Sequence, residues 1–155
     1  MGTMTDTEMV SALREHVLGE SLRDVGRTVA TMTDDCFQAH PALNLRCIGR
    51  NSCSRYYREM FFEPFPDLSA ERKGFAIGKN SIYLELDLVG TMSGPWLGLR
   101  PTGRRFTLPI TVSVRFRDGL VHGETMYYDA RTWCSQLEIR LDDVLAAAAD
   151  LTSAH

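Results

Sequence analysis

Apolar residues recur at helical spacing near the start of the chain and at every second position later on. Thr5 and Glu8 stand three apart, the spacing of a capping box. Met9, Leu13 and Val17 then recur every four residues, which predicts an amphipathic helix with Gly19 as its stop. Leu22, Val25, Val29 and Met32 predict a second helix. Residues 37–48 mix β-type residues with His40-Pro41 and read as extended chain or a short hairpin. Asn51 is placed to cap a third helix that carries Tyr56, Tyr57, Met60 and Phe61 and ends at Pro64 and Pro66.

After Phe65-Pro66-Asp67 the period changes to two. Ile82, Leu84, Leu86 and Leu88 alternate with Tyr83, Glu85, Asp87 and Val89, which predicts a strand with one buried face. Phe106, Leu108, Ile110, Val112, Val114 and Phe116 predict a second, longer strand. Between them, residues 90–103 hold four glycines and two prolines and form a long connection. Asp118-Gly119 is a strong hairpin signal, and a further strand covers residues 120–128. Asp129 is placed to cap a helix through Trp133 and Leu137. The alanine-rich stretch from Leu141 to Leu151 predicts a last helix, packed loosely or on a partner. Helices first and hairpin-linked strands afterwards indicate an α+β fold. One domain over residues 5–151 is expected, with flexible tails at 1–4 and 152–155.

The chain has 155 residues, enough for one core, and a net charge of -3. No basic excess is present to attract phosphate backbones, so nucleic acid is not an expected partner. No apolar run approaches the roughly 20 residues of a membrane span, and residues 1–9 lack the pattern of a signal peptide. The four cysteines, Cys36, Cys47, Cys53 and Cys134, show no C-x-x-C spacing and are expected to be thiols in a reducing cytoplasm. His16, His40, His122 and His155 are scattered, with no H-x-x-x-H or H-x-H grouping, so no metal is expected. No G-x-S-x-G elbow and no phosphate-loop spacing is present.

Four segments in register resemble the SnoaL-like polyketide and ester cyclases of the nuclear-transport-factor-2-like superfamily. They are Phe65-Pro66-Asp67-Leu68, Gly90-Thr91 through Gly98, Pro101-Thr102-Gly103-Arg104, and Asp118-Gly119 through Tyr127-Tyr128-Asp129 to Gln136-Leu137. The resemblance implies a cone: a curved, mostly antiparallel sheet wrapped around N-terminal helices, with a C-terminal helix and a small apolar pocket between sheet and helix. It implies a homodimer through the sheet face. It also implies cofactor-free acid/base chemistry on a hydrophobic, carbonyl-bearing small molecule such as a polyketide, of cyclase or isomerase type. A non-catalytic binding or dimerisation module of the same fold is the alternative, and an epoxide hydrolase a further one. The chain departs from its relatives in carrying Met92 where many have histidine, and Glu124-Thr125-Met126 where cyclases often have a His-Trp-Asp-like cluster.

Within that frame three residues are candidate acid/base groups. Asp129 ends the last strand beside the expected pocket mouth, where Tyr127, Tyr128 and Trp133 would desolvate it and raise its pKa. It is equally placed as a helix N-cap. Glu124 shares a strand face with His122, Met126 and Tyr128, whereas Asp129 has the parity of Thr125 and Tyr127, so a regular strand turns only one of the two carboxylates inward. His40 lies in the segment that lines the cone and could donate to a substrate carbonyl or act as base. Tyr57, Met60, Phe61, Trp96 and Tyr127 are the candidate substrate-binding residues, and an exposed Trp96 on the long connection would be a ligand or dimer contact. Glu85 and Asp87 are expected to pair across strands with Arg115 and Arg117.

Overall fold

The computed structural model describes residues 2–152. His155 and the last part of the expected C-terminal tail lie outside the described residues. Two helices, α1 (Asp6–Ser21) and α2 (Val25–Ala30), precede strands β1 (Met32–His40) and β2 (Leu45–Ile48). Helix α3 (Arg50–Tyr56) runs into a π-helical turn, Tyr57–Phe62. Strands β3 (Ser69–Gly78), β4 (Ser81–Thr91), β5 (Arg105–Arg117) and β6 (Leu120–Tyr127) follow, then α4 (Ala130–Leu137) and α5 (Leu141–Leu151). The sheet has six strands in the order β2-β1-β6-β5-β4-β3. All neighbours are antiparallel except β1 and β6, which run parallel. The fold is the expected α+β arrangement, a long sheet with helices packed on one face.

The cone's inner face follows from alternation. Phe106, Leu108, Ile110, Val112 and Val114 of β5 are buried and lie in register with the apolar residues of β4 and with Glu124 and Met126 of β6. The Asp118-Gly119 turn has positive φ at both residues (54° and 79°), the conformation of a two-residue hairpin, so it fixes the β5–β6 register locally. That register turns Glu124 inward.

Several local expectations are corrected. Helix α1 continues past Gly19 to Ser21. Gly19 instead allows close approach of α2, because a Cβ there would lie 2.8 Å from Thr28 Oγ1. The second helix is only six residues long. Leu22 is exposed outside it, and Met32 opens β1. Gly49 rather than Asn51 is the N-cap of α3. Strand β3 has no counterpart in the sequence pattern: nearly all its residues are exposed on both faces, so nothing forces apolar alternation. Helix α5 packs on its own domain through buried Val144, Ala148 and Leu151. Met4, placed in the tail, donates its N–H to Asn80 Oδ1 at 2.8 Å. The expected Glu85/Asp87 to Arg115/Arg117 pairing does not form, because the register sets Thr111 opposite Glu85 and Pro109 opposite Asp87. Asp87 pairs with Lys73, and Arg117 with Asp35. All four cysteines are buried and free.

The connection between β4 and β5 is sewn to the end of the π-helical turn. Ser93 and Gly94 donate their N–H groups to the Pro64 carbonyl at 3.0 and 3.2 Å, and Leu97 donates to Glu59 at 3.2 Å. Gly94 sits so near this segment that a Cβ would be 2.2 Å from the Glu63 carbonyl oxygen. Backbone on both sides leaves no side chain to yield. Gly94→Ala is therefore expected to destabilise the protein by about 2 kcal/mol or more, read as a lower urea midpoint at unchanged m-value. An unchanged midpoint would show that this contact is not tight.

Candidate functional site

Two polar networks lie along the inner face of β1 and β6. Both are built from residues two apart on a strand: Gln38 and His40 on β1, and Glu124, Met126 and Tyr128 along β6 and its end. Period-two alternation keeps each set on one side. Helix α3 and its π-helical turn cover them with Tyr56 and Tyr57. Neighbouring residues on a helix point roughly 100° apart, so the two adjacent tyrosines serve different networks.

In the first network Glu124 Oε1 accepts from His16 Nε2 at 2.9 Å, from Gln38 Nε2 at 2.9 Å and from Tyr57 OH at 3.1 Å. His16 Nε2 also meets Glu20 Oε1 at 3.1 Å, one helical turn along α1. The other ring nitrogen, Nδ1, lies 2.7 Å from Thr31 Oγ1. The Thr31 hydroxyl spends its own proton on the Thr28 carbonyl at 2.6 Å, so Thr31 Oγ1 is the acceptor and Nδ1 carries a hydrogen. Nε2 faces two carboxylates and carries one as well. His16 is thus an imidazolium. Burial alone would push its pKa down, but Glu124 and Glu20 together outweigh it and hold it at about 10.

The same balance drives the two carboxylates apart. Burial pushes Glu124 up, yet His16 and the hydrogen bonds from Gln38 and Tyr57 bring it below the usual carboxylate range. Glu20 goes the other way: burial and the nearby Glu124 raise it more than His16 lowers it. The imidazolium thus favours an ionised Glu124, while Glu20, whose side chain is 33% exposed, is pushed toward keeping its proton. The Glu124 side chain is 13% exposed. Its three bonds all fall on Oε1, and among the described residues Oε2 has no hydrogen-bond partner.

The second network is neutral. His40 Nδ1 lies 2.7 Å from Tyr128 OH, and Nε2 lies 2.5 Å from Tyr56 OH. Full burial lowers the His40 pKa to about 3, against a small opposing pull from Glu124. A neutral imidazole between two phenols uses one nitrogen as donor and the other as acceptor. Tyr56 OH also reaches Met126 Sδ at 3.6 Å.

His16, Glu20 and Glu124 present a metal-type donor set, with one ligand atom from each lying within 4.8 Å of the others. The separations of 2.9 and 3.1 Å are those of N–H···O bonds, and a cation would first have to displace the Nε2 proton.

The sequence candidates divide cleanly. The structure brings Glu124 and Tyr57 into the first network and His40 into the second. Met60 and Phe61 are buried beside them. Phe61 lies 6.0 Å from the His40 ring and stacks on Trp133 at 6.4 Å. Asp129 is not in the interior: its Oδ1 accepts from the N–H groups of Arg131 and Thr132 at 2.9 and 3.2 Å as the N-cap of α4. The Thr132 bond heads the causes that lower its pKa, the opposite of the expected rise. Tyr127 is 52% exposed and points away from the cone. Trp96, a candidate ligand or dimer contact if exposed, is fully buried against Trp133. Sequence reasoning missed His16, Glu20 and Gln38. The signal was present: Met9, Leu13, His16 and Glu20 follow the helical repeat, whereas Val17, taken as the next apolar position, is 43% exposed. Polar residues on the buried stripe of α1 mark the site.

The sequence model of the family described as SnoaL-like polyketide cyclase matches residues 8–137. No match is found among curated proteins. Among solved structures, a candidate SnoaL-like polyketide cyclase from Jannaschia sp. CCS1 superposes with a TM-score of 0.77 at 17% identity, covering 90% of this chain and 99% of its own. AclR from Streptomyces galilaeus, a candidate hydroxylase, gives 0.70 at 21% identity, with 95% and 93% covered. A protein from Catenulispora acidiphila DSM 44928 with a ketosteroid isomerase-like fold gives 0.69 at 12% identity, with 84% and 95% covered. The likeness to these structures establishes the shared cone; the family match, over most of the sequence, places this chain in the SnoaL-like polyketide cyclase family.

Proposed function

We propose that this protein is a cofactor-free acid/base enzyme of cyclase or isomerase type acting on a hydrophobic, carbonyl-bearing small molecule. The observation that carries the reading is the Glu124 carboxylate, buried beside an imidazolium and bonded through one oxygen only. Catalysis of this kind needs a base that is ionised although desolvated, and a second group that keeps its proton. Glu124 and Glu20 are pushed apart in that sense.

In the proposed step Glu124 Oε2 takes a proton from the carbon next to the substrate carbonyl. The electron pair of that C–H bond moves onto the carbonyl oxygen as an enolate. The enolate carbon then attacks a second carbonyl of the same molecule, closing a ring whose alkoxide oxygen takes the proton back from Glu124; in a conjugated substrate the dienolate instead takes that proton back from Glu124 at its distal carbon. His16 remains protonated throughout, so the base stays pre-ionised without a solvent counter-ion. Gln38 and Tyr57 fix the carboxylate's orientation. Neutral His40, flanked by Tyr56 and Tyr128, supplies an uncharged donor and acceptor further along the face. The protein is proposed to work as a homodimer through the outer sheet face, where Tyr83 and Tyr127 are exposed. No helix is long and apolar enough to cross a membrane among the described residues.

Three results are expected. Glu124→Gln keeps the shape and the hydrogen-bonding oxygen but not the base, so kcat falls on the order of 10²–10⁴-fold while ligand binding survives. Retention of turnover would sink the assignment. Asp129→Ala, by contrast, lowers the melting temperature and leaves kcat unchanged, since its carboxylate serves the α4 N-terminus. The third concerns pH. The folded-state pKa of His16 is raised to about 10, above an unfolded value of about 6.5. The folded protein then binds more protons in that window, so stability is fully present below about 6.5 and declines as pH rises toward 10. Urea unfolding from pH 6 to 10 should show this slope, and His16→Gln should flatten it. A flat profile in the unaltered protein would mean that His16 is neutral when folded.

A further inference from the structure

Thr31 is tied to the elements of both partners in the His16–Glu124 pair. Its side chain reaches α1: Thr31 Oγ1 accepts from His16 Nδ1 at 2.7 Å. Its main chain reaches β6: the Thr31 carbonyl accepts from the Val121 N–H at 3.0 Å, three residues before Glu124. The residue has little freedom of its own. It is the C-cap of α2, and its N–H and its hydroxyl both donate to the Thr28 carbonyl, at 3.2 and 2.6 Å. Thr28 is fully buried against α1, where a Cβ on Gly19 would lie 2.8 Å from its Oγ1. Gly19 shares the buried face of α1 with His16. Helix α2 therefore holds Thr31 at a fixed place beside the His16 ring.

We propose that Thr31 is a positioning residue for Glu124, acting through His16: its hydroxyl fixes the plane of the imidazolium so that Nε2–H faces the two carboxylates. The inference deepens the function proposed above and rests on it in taking Glu124 as the base. A histidine held at one ring nitrogen is thereby aimed at the other. The chemistry of the acceptor matters as well. A carboxylate beside Nδ1 would draw the positive charge toward itself, whereas a hydroxyl whose proton is already committed accepts without bringing charge. The charge of His16 then acts on Glu20 of its own helix and on Glu124 of β6. Tyr57 OH, 3.1 Å from Nε2, is a further titratable group facing the ring, and burial keeps it neutral.

The test reads the His16 ring by nitrogen NMR in the full chain carrying isotope-labelled histidine, with His16→Gln used to assign its signals. At about pH 8 both ring nitrogens of the unaltered protein are expected to carry a proton, since His16 is held at about 10. Thr31→Val keeps the shape and removes the acceptor, which leaves a charged donor unpaired. The His16 pKa is then expected to fall by about one unit or more, the value of one hydrogen bond to a charged group. Thr31→Ser keeps the hydroxyl and is expected to restore the parental titration. Glu20, Glu124 and Tyr57 are the same in all three proteins, so the difference isolates the hydroxyl. A folded Thr31→Val protein in which His16 titrates like the parent would overturn the proposal whatever its urea midpoint, because Thr31 would then serve only the end of α2. So would a Thr31→Ser protein in which His16 titrates as in Thr31→Val. Should the valine variant not fold, the unaltered protein decides: a proton on Nδ1 at about pH 8 supports the proposal, and its absence overturns it. Retained turnover in Glu124→Gln strikes the acid/base reading and leaves the His16 titration untouched, so the two failures are distinguishable.

Discussion

The contact between His16 on α1 and Glu124 on β6 organises the interior of this protein. It joins residues 108 positions apart and ties the first helix to the last strand. A buried ion pair is weak evidence for stability by itself, because desolvating two charges consumes much of their attraction. Its effect here is on arrangement. Each remaining hydrogen of His16 and each added bond to Glu124 requires a partner from a different element: Thr31 after α2, Gln38 on β1, Tyr57 at the start of the π-helical turn. Shifting β6 by one residue would expose Glu124 and turn Thr125 inward, leaving a buried imidazolium without its carboxylate. The polar network thus adds a register constraint to the one imposed by apolar alternation.

Along β6 the inner face passes from charged to neutral to aromatic. Glu124 meets an imidazolium, Met126 offers only sulfur, and Tyr128 meets a neutral imidazole before the chain enters α4 and Trp133. The two histidines illustrate how surroundings decide protonation. Both are fully buried, yet His16 has two carboxylates within 3.1 Å and is held at about 10, whereas His40 has two phenols and falls to about 3. Phenols themselves resist ionisation here, since burial raises the pKa of Tyr56, Tyr57 and Tyr128 well above its ordinary value. Charge on this face is therefore confined to the Glu124 end.

The fold was legible where one face of an element is buried and the other is not. The alternation of β5, the Asp118-Gly119 turn and the α4 stripe each impose one solution, and the structure follows them. Strand β3 was illegible because an edge strand exposed on both sides places no demand on its residues. The site was half legible. Glu124 and Tyr57 could be found because strand parity and helical crowding point them inward. His16 could not be found by looking for apolar recurrence, since it occupies an apolar position with a polar group. Asp129 was ambiguous in sequence because Asp serves equally as base and as cap. The two backbone N–H groups on its Oδ1 decide the matter, and such bonds depend on a chain direction that parity does not reveal.

The π-helical turn explains how one short helix serves two networks and a loop. Within Tyr57–Phe62 the wider turn leaves a carbonyl free that an α-helix would use internally. Glu59 offers its carbonyl to Leu97, and Pro64 just beyond offers its own to Ser93 and Gly94. The tyrosines upstream engage His40 and Glu124, and Phe61 reaches Trp133. A regular helix through Phe62 would rotate Met60 and Phe61 relative to Tyr56 and Tyr57 and would withdraw the anchor of the β4–β5 connection. The irregular turn thus joins the charged end, the neutral network and the loop that carries Trp96, so that the placement of the loop and the posture of both tyrosines depend on a single backbone feature.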